Sequence, residues 1–264
     1  MGLKMISKKN GILAVDVGNT SVLFVYCLGS KFKKTHRIPT ASLNAKKIAS
    51  LKKIFPLKKI NAVVIASVVP QAGNLLSKEI AKKFSVRTYL IGKDFNPPII
   101  NRYKNPKQVG VDRLVNAAEA FDRHHRDVIV MDFGTAITFD IVSKKGEYLG
   151  GVIAPGIEVS LEALYQKTAL LPKIRLAHPL NLIGRDTVES IRVGCSVGIG
   201  GLCDRLVERI KGRYGLKPLV IATGGYAGFM RRYCQSIDSI DTLLTIKGIL
   251  LSYKKFLTKK KANL

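Results

Sequence analysis

Ile12-Leu13-Ala14-Val15-Asp16-Val17-Gly18-Asn19-Thr20 is an apolar strand ending in a carboxylate, a glycine and a hydroxyl residue, and a second apolar run, Val22 to Leu28, follows it. The same order returns 116 residues later. Val128-Ile129-Val130-Met131-Asp132-Phe133-Gly134-Thr135 leads into Ile137-Thr138-Phe139-Asp140-Ile141-Val142. In each copy the acid closes one strand, the glycine permits a tight reversal, and a partner strand comes back. A scaffold has little use for acids at two equivalent strand ends. A site that grips a phosphate chain and its cation from two sides has one.

The repeat extends outward. Ala62-Val63-Val64-Ile65-Ala66-Ser67 parallels Pro218-Leu219-Val220-Ile221-Ala222-Thr223, each a buried strand ending in a hydroxyl residue, 51 residues after Asp16 and 91 after Asp132. The second half therefore carries about 40 extra residues in the same order of elements. The first half reads as strands at 12–17 and 21–28, a basic segment (31–41), a helix (41–54), a strand (62–69) broken at Pro70, a helix (75–84) and a short strand (88–91). An extended loop with Tyr103 and a helix from about 109 to 125 follow. The second half adds a third strand (147–154), a helix (157–166), a helix entry capped by Asp186 or Thr187 and bent among glycines 194–201, and a strand (219–223) ending in Gly224-Gly225. Strand–strand–strand–helix–strand–helix twice over predicts a duplicated α/β fold, with domains over 1–115 and 116–264 and a ligand cleft between the copies.

Length and composition agree. The 264 residues suffice for two domains, and 47% hydrophobic content excludes a disordered chain. No apolar run approaches the ~18 residues of a membrane span, and Met1 to Asn10 holds no apolar stretch of signal-peptide length, so cytoplasmic residence is expected. Cys27, Cys195, Cys203 and Cys234 form no Cys-x-x-Cys pair and read as buried or half-buried free thiols. The net charge of +26 is the odd feature: eleven lysines and arginines and no acid lie between Asp16 and Glu79, a composition that attracts polyanions. The lysines come as scattered pairs without interleaved aromatics, so no base-stacking platform is expected and nucleic acid is not an expected partner.

The chemistry follows from residue types. Backbone N–H groups at Gly18-Asn19-Thr20 and Gly134-Thr135 can approach phosphate oxygens where glycine removes the Cβ, and the Thr20 and Thr135 hydroxyls add donors. Asp16 and Asp132 cannot touch phosphate directly, because two unit charges about 4 Å apart repel by about 4 kcal/mol at an effective dielectric near 20. They position a cation, Mg²⁺ on the phosphates and a monovalent ion. Thr223-Gly224-Gly225 is a turn where an adenosine could lodge. Neither a P-loop nor a dinucleotide fingerprint is present. Gly110-Val111-Asp112-Arg113 opens a helix, so Asp112 can take a proton from an alcohol attacking a γ-phosphate and Arg113 can hold a carboxylate or phosphate. On spacing alone Asp112 reads equally well as a first-turn helix acid.

Together Asp16-Val17-Gly18-Asn19-Thr20, Gly110-Val111-Asp112-Arg113, Asp132-Phe133-Gly134-Thr135-Ala136-Ile137-Thr138-x-Asp140, Gly150-Gly151-Val152-Ile153-x-Pro155-Gly156 and Thr223-Gly224-Gly225 resemble the type III pantothenate kinases from about Ile12 to Leu251. That family belongs to the acetate and sugar kinase/Hsc70/actin superfamily. The resemblance implies duplicated ribonuclease-H-like domains and ATP-dependent phosphorylation of pantothenate, the first committed step to coenzyme A. It also implies a cytoplasmic homodimer with substrate near the subunit interface, and a K⁺ or NH₄⁺ requirement beside ATP and Mg²⁺. It makes Asp16, Val17, Gly18, Asn19, Thr20, Ser21, Val22 and Leu23 the first phosphate loop, with Thr135 on ATP. Asp112 becomes the proton acceptor and Asp132 the monovalent-cation ligand. Tyr103, Gly110, Val111, Asp112, Arg113 and Thr187 become pantothenate contacts. Val111, Asp186 and Tyr226 depart from the family's usual alanine, asparagine and acid. A non-catalytic nucleic-acid-associated regulator, since relatives have been linked to transcriptional control, and a phosphatase or kinase for another small alcohol stand as alternatives.

Overall fold

The computed structural model describes residues 11–29 and 31–262; the expectation about a signal peptide in Met1–Asn10 lies outside them. The chain forms two compact units, Met1–His124 with Gly146–Tyr148 and Leu244–Leu264, and His125–Lys145 with Leu149–Leu243. The expected division at 115/116 falls inside a helix, and the C-terminal segment belongs to the first unit rather than the second.

The elements run β1 (Gly11–Val17), β2 (Ser21–Leu28), β3 (Lys31–Pro39), α1 (Ala45–Ser50), β4 (Ile60–Ser67), α2 (Pro70–Phe84), β5 (Arg87–Leu90), β6 (Ile100–Asn101) and α3 (Val111–His124). There follow β7 (Val128–Phe133), β8 (Ala136–Val142), β9 (Glu147–Pro155), α4 (Ile157–Lys167), α5 (Thr187–Val193), α6 (Ile199–Tyr214), β10 (Leu219–Thr223), α7 (Ala227–Met230), β11 (Ser239–Ile240) and α8 (Leu244–Ala262). The first sheet has the order β3-β2-β1-β4-β5, and the second contains β9-β8-β7-β10-β11, the same arrangement. In both, the acid-bearing strand is flanked by its antiparallel hairpin partner and by a parallel strand. β6 pairs with Glu147 and Tyr148, which count with the first unit.

Each unit has its own core, and the strand pleat decides which side the acids take. Leu13, Val15 and Val17 join Phe24, Ile48, Leu51, Phe55, Leu76 and Ile80 in the first cluster. Alternation then sends Ile12, Ala14 and Asp16 to the other face of β1. In the second unit Ile129, Met131 and Phe133 enter the cluster, so Asp132 likewise lies on the face away from it.

Several elements differ from expectation for identifiable reasons. The basic segment 31–41 is β3, an edge strand whose exposed lysines suit an unpaired edge. The 41–54 helix is reduced to α1 flanked by 3₁₀ turns at Thr40–Ser42 and Leu51–Lys53. α2 begins at Pro70 rather than at 75, because proline's fixed φ suits a first helical position. Between α5 and α6, Gly194–Gly198 forms a π turn where a bend was expected. The pattern does not announce α8, which packs on α3, β1 and β4. All four cysteines are buried and free. Among the described residues no helix is long and apolar enough to cross a membrane.

Candidate active site

The first turn is short and braced. Gly18 N–H donates to the Ser21 carbonyl at 3.0 Å, closing the hairpin with Asn19 and Thr20 exposed at its tip. Thr40 occupies two of the turn's carbonyls: its hydroxyl donates to Gly18 O at 2.7 Å and its N–H to Thr20 O at 3.0 Å. Arg37, one strand away on β3, donates to the Ser21 hydroxyl at 2.6 Å. The turn's N–H groups and hydroxyls therefore sit on a fixed frame, as a phosphate cradle requires.

Asp112 is held beside this turn. At the start of α3 its Oδ1 accepts the Arg113 N–H at 2.8 Å. A Cβ on Gly110 would strike that carboxylate oxygen and lie 3.4 Å from Val68 Cγ1, so glycine is what lets the carboxylate fold back there. Val68 in turn donates its N–H to Val17 O at 3.0 Å. This run of contacts brings Asp112 to the β1 face that carries Asp16. Burial, and after it the negative charge of Asp112, pushes the Asp16 carboxyl up to about 7, with Arg37 opposing. Burial also raises Asp112, against the Arg113 N–H and guanidinium.

Beyond Asp112, the Arg113 guanidinium lies 5.9 Å over the ring of Tyr148, and Tyr103 approaches the same ring with centroids 6.3 Å apart. Tyr148, fully buried, is a residue that sequence reasoning missed, and so is Arg37; neither lies in a motif, and only the strand pairing brings them in. A cavity of about 390 Å³ opens beside Val68, Gly110 and Val111, with Lys93 and Lys107 on its wall.

The second unit repeats the turn with one residue fewer. Val17 pairs with Val22, but Phe133 pairs with Ile137, and Gly134 N–H donates to Ala136 O at 3.1 Å. Two neighbours close on it. Gly156 N–H donates to Thr135 O at 3.2 Å and Tyr226 N–H to Phe133 O at 3.2 Å. Gly224, at φ +89°, sits where a Cβ would run into the Asp132 carboxylate and the Phe133 carbonyl. Thr223 is Asp132's partner on β10, whereas Ser67 pairs with Val17, so the two hydroxyl residues are offset by one position. The Tyr226 hydroxyl donates to Glu158, and burial, followed by this contact, lifts the phenol to about 12.

The structure thus gathers Asp16 to Leu23, Tyr103 and Gly110 to Arg113 in the first unit, and Asp132, Thr135 and the 223–225 turn in the second. Thr187 is elsewhere in the second unit, at the first position of α5. It lines a cavity of about 990 Å³ with Lys167, Leu171, Arg185, Asp186 and Cys195, and neither Asp132 nor Thr135 is on that wall. Asp186, not Thr187, is the cap, accepting the Glu189 N–H at 2.8 Å.

Residues 12–209 match the family model of the type III pantothenate kinases. The chain belongs to that family. A type III pantothenate kinase of Syntrophus aciditrophicus is 40% identical over 258 residues, covering 92% of this chain and 99% of its own, and one of Myxococcus xanthus is 39% identical over 250 residues, covering 92% and 97%. Among solved structures, a Baf-family protein from Campylobacter jejuni superposes with a TM-score of 0.56 at 21% identity, covering 96% of this chain and all of that one. An inorganic polyphosphate/ATP-glucomannokinase from Arthrobacter gives 0.51 at 14%, covering 95% and 99%. At those identities the likeness speaks to fold: duplicated ribonuclease-H-like units, as in the sugar kinases.

Proposed function

We propose that the chain transfers the γ-phosphate of ATP to the hydroxyl of pantothenate, the first step of coenzyme A biosynthesis, with Asp112 as general base. Family membership makes it an ATP-dependent kinase. The observation that carries the residue assignment is the pairing of Asp16 and Asp112 on one face of the first unit, one at the foot of a braced turn and one next to Gly110 and Val111, which line a cavity that also carries Lys93 and Lys107.

The charge of Asp112 adds to the cost of ionising the buried Asp16, and such a pair fits a cation. Asp16 would help to hold Mg²⁺ on the nucleotide; when bound, the metal neutralises charge on the phosphates. Asp112 accepts the proton as the hydroxyl oxygen attacks phosphorus and the bond to ADP breaks. Its raised proton affinity makes it a stronger base than a solvated carboxylate. Arg113, stacked on Tyr148, and Tyr103 orient the acceptor, while Val17 to Leu23 and Thr135 hold ATP. Asp132 is assigned K⁺ or NH₄⁺. Most of the acceleration then comes from positioning and preset electrostatics.

We assign the working form to a cytoplasmic homodimer. Leu170 and Leu180, 91% and 89% exposed, stand with Leu182 and Ile183 on the segment that leads to Thr187, an apolar stretch that a second copy would cover. Thr187 would contact pantothenate near that interface.

The test is ADP release with and without pantothenate in potassium, with the product weighed. Release that requires pantothenate, yields a singly phosphorylated product and falls when sodium replaces potassium is the expected outcome. ADP release indifferent to pantothenate, or larger with another small alcohol, would remove the assignment.

A further inference from the structure

The positive charge is not spread evenly over the molecule. Counted by unit, the first holds 29 lysines and arginines against 7 acids, net +22, and the second 15 against 11, net +4. A uniformly basic composition would load both. In the second unit cations have partners close by, as in Lys173–Glu162, Arg192–Glu189 and Arg205–Glu208.

Folding also gathers lysine pairs that look scattered along the sequence. α1 and α2 pack side by side, and Lys83 Nζ reaches the Ala45 carbonyl at 3.4 Å. Ile48, Leu51, Phe55, Leu76 and Ile80 turn inward on the sheet. Lys46, Lys47, Lys52, Lys53, Lys58, Lys59, Lys78, Lys82 and Lys83 are all left exposed. Over residues 41–84 the sole acid is Glu79, and it is bound to Lys83 at 3.2 Å. Each like-charge neighbour costs a few tenths of a kcal/mol, which burial of the apolar side chains at about 1.5–3 kcal/mol each outweighs. The fold tolerates this face; a merely soluble surface would interleave both signs.

We infer that the outer face of α1 and α2, with the lysine-bearing turns after α1, is a docking surface for the phosphate backbone of nucleic acid. Its composition selects that partner. Among the described residues, no large apolar side chain between 31 and 84 is exposed, so the face lacks both the wedge that would enter a membrane and the apolar centre of a protein–protein contact. It carries no arginine and no exposed aromatic either, so bases are not read and binding is insensitive to sequence.

The experiment measures anisotropy of labelled 20-nucleotide single strands and duplexes of scrambled sequence against the full chain over a salt series. Two variant sets are compared, Lys46, Lys47, Lys52 and Lys53→Gln on α1 and its following turn, and Lys78, Lys82 and Lys83→Gln on α2. Lys259, Lys260 and Lys261→Gln on α8 is the control, matched in charge to the α2 set. Expected is binding that falls steeply with salt and is the same for different sequences. Each patch set should weaken it at least about tenfold and flatten the duplex salt slope by about three, since each phosphate contact contributes roughly 0.9. The control should bind as wild type, and all sets should keep pantothenate-dependent ADP release, which shows that they fold. No binding at low salt, equal losses in patch and control sets, or patch-dependent capture by phosphatidylglycerol vesicles in preference to nucleic acid would overturn the proposal.

Discussion

Asp16 is where local physics is most exposed. Its folded value of about 7 lies above the ordinary 3.8, so between those limits the folded chain holds more protons than the unfolded one. Stability of the ligand-free protein therefore falls as pH rises across that window and is level above it. Thermal melts at pH 5 and pH 8 should show the higher melting temperature at pH 5, with a smaller difference in Asp16→Asn; no difference in the wild type would mean that Asp16 is not held buried beside Asp112 as described. Gly224 makes a second residue-scale test. Alanine there meets a left-handed backbone, costing on the order of 1–3 kcal/mol, and its methyl collides with the Asp132 carboxylate. Gly224→Ala should weaken ATP binding by calorimetry, and unchanged affinity would take the 223–225 turn out of the nucleotide site.

At the scale of elements, what the sequence makes legible is what depends on nearest neighbours along the chain. The two carboxylate hairpins, the buried strands at β4 and β10 and the cap at Asp186 are all local patterns and stand where the pattern puts them. Asp186 also shows how one departure from the family keeps the local fold: aspartate caps a helix as well as asparagine does. What is not legible depends on distant partners. Lys31 to Pro39 reads only as a basic segment until β2 supplies its hydrogen bonds, and Tyr148 enters the site only because β9 pairs with β6. α8 owes its place to α3, where Gly248 lies against the Val115 carbonyl with no room for a Cβ. In Gly248→Ala a helix-propensity gain of about 1 kcal/mol opposes an overpacking cost of about 1–3 kcal/mol, so a net loss is expected. A melting temperature that rises in that variant would show that the two helices do not approach so closely.

For the whole molecule, duplication explains how a chain of this size acquires two acid-bearing turns: one ribonuclease-H-like plan, used twice, puts a carboxylate at the end of a central strand each time. The copies have since diverged in their insertions, in the length of the turn and in charge. Asp112 belongs to the first unit, and on the proposed reading that acid separates a domain that merely binds ATP from one that transfers its phosphate to an alcohol. Turnover and ATP affinity of Asp112→Asn, measured beside the wild type with pantothenate in potassium, address this most directly. Turnover should drop at least about a hundredfold while ATP still binds; a variant that turns over at nearly the wild-type rate would contradict it.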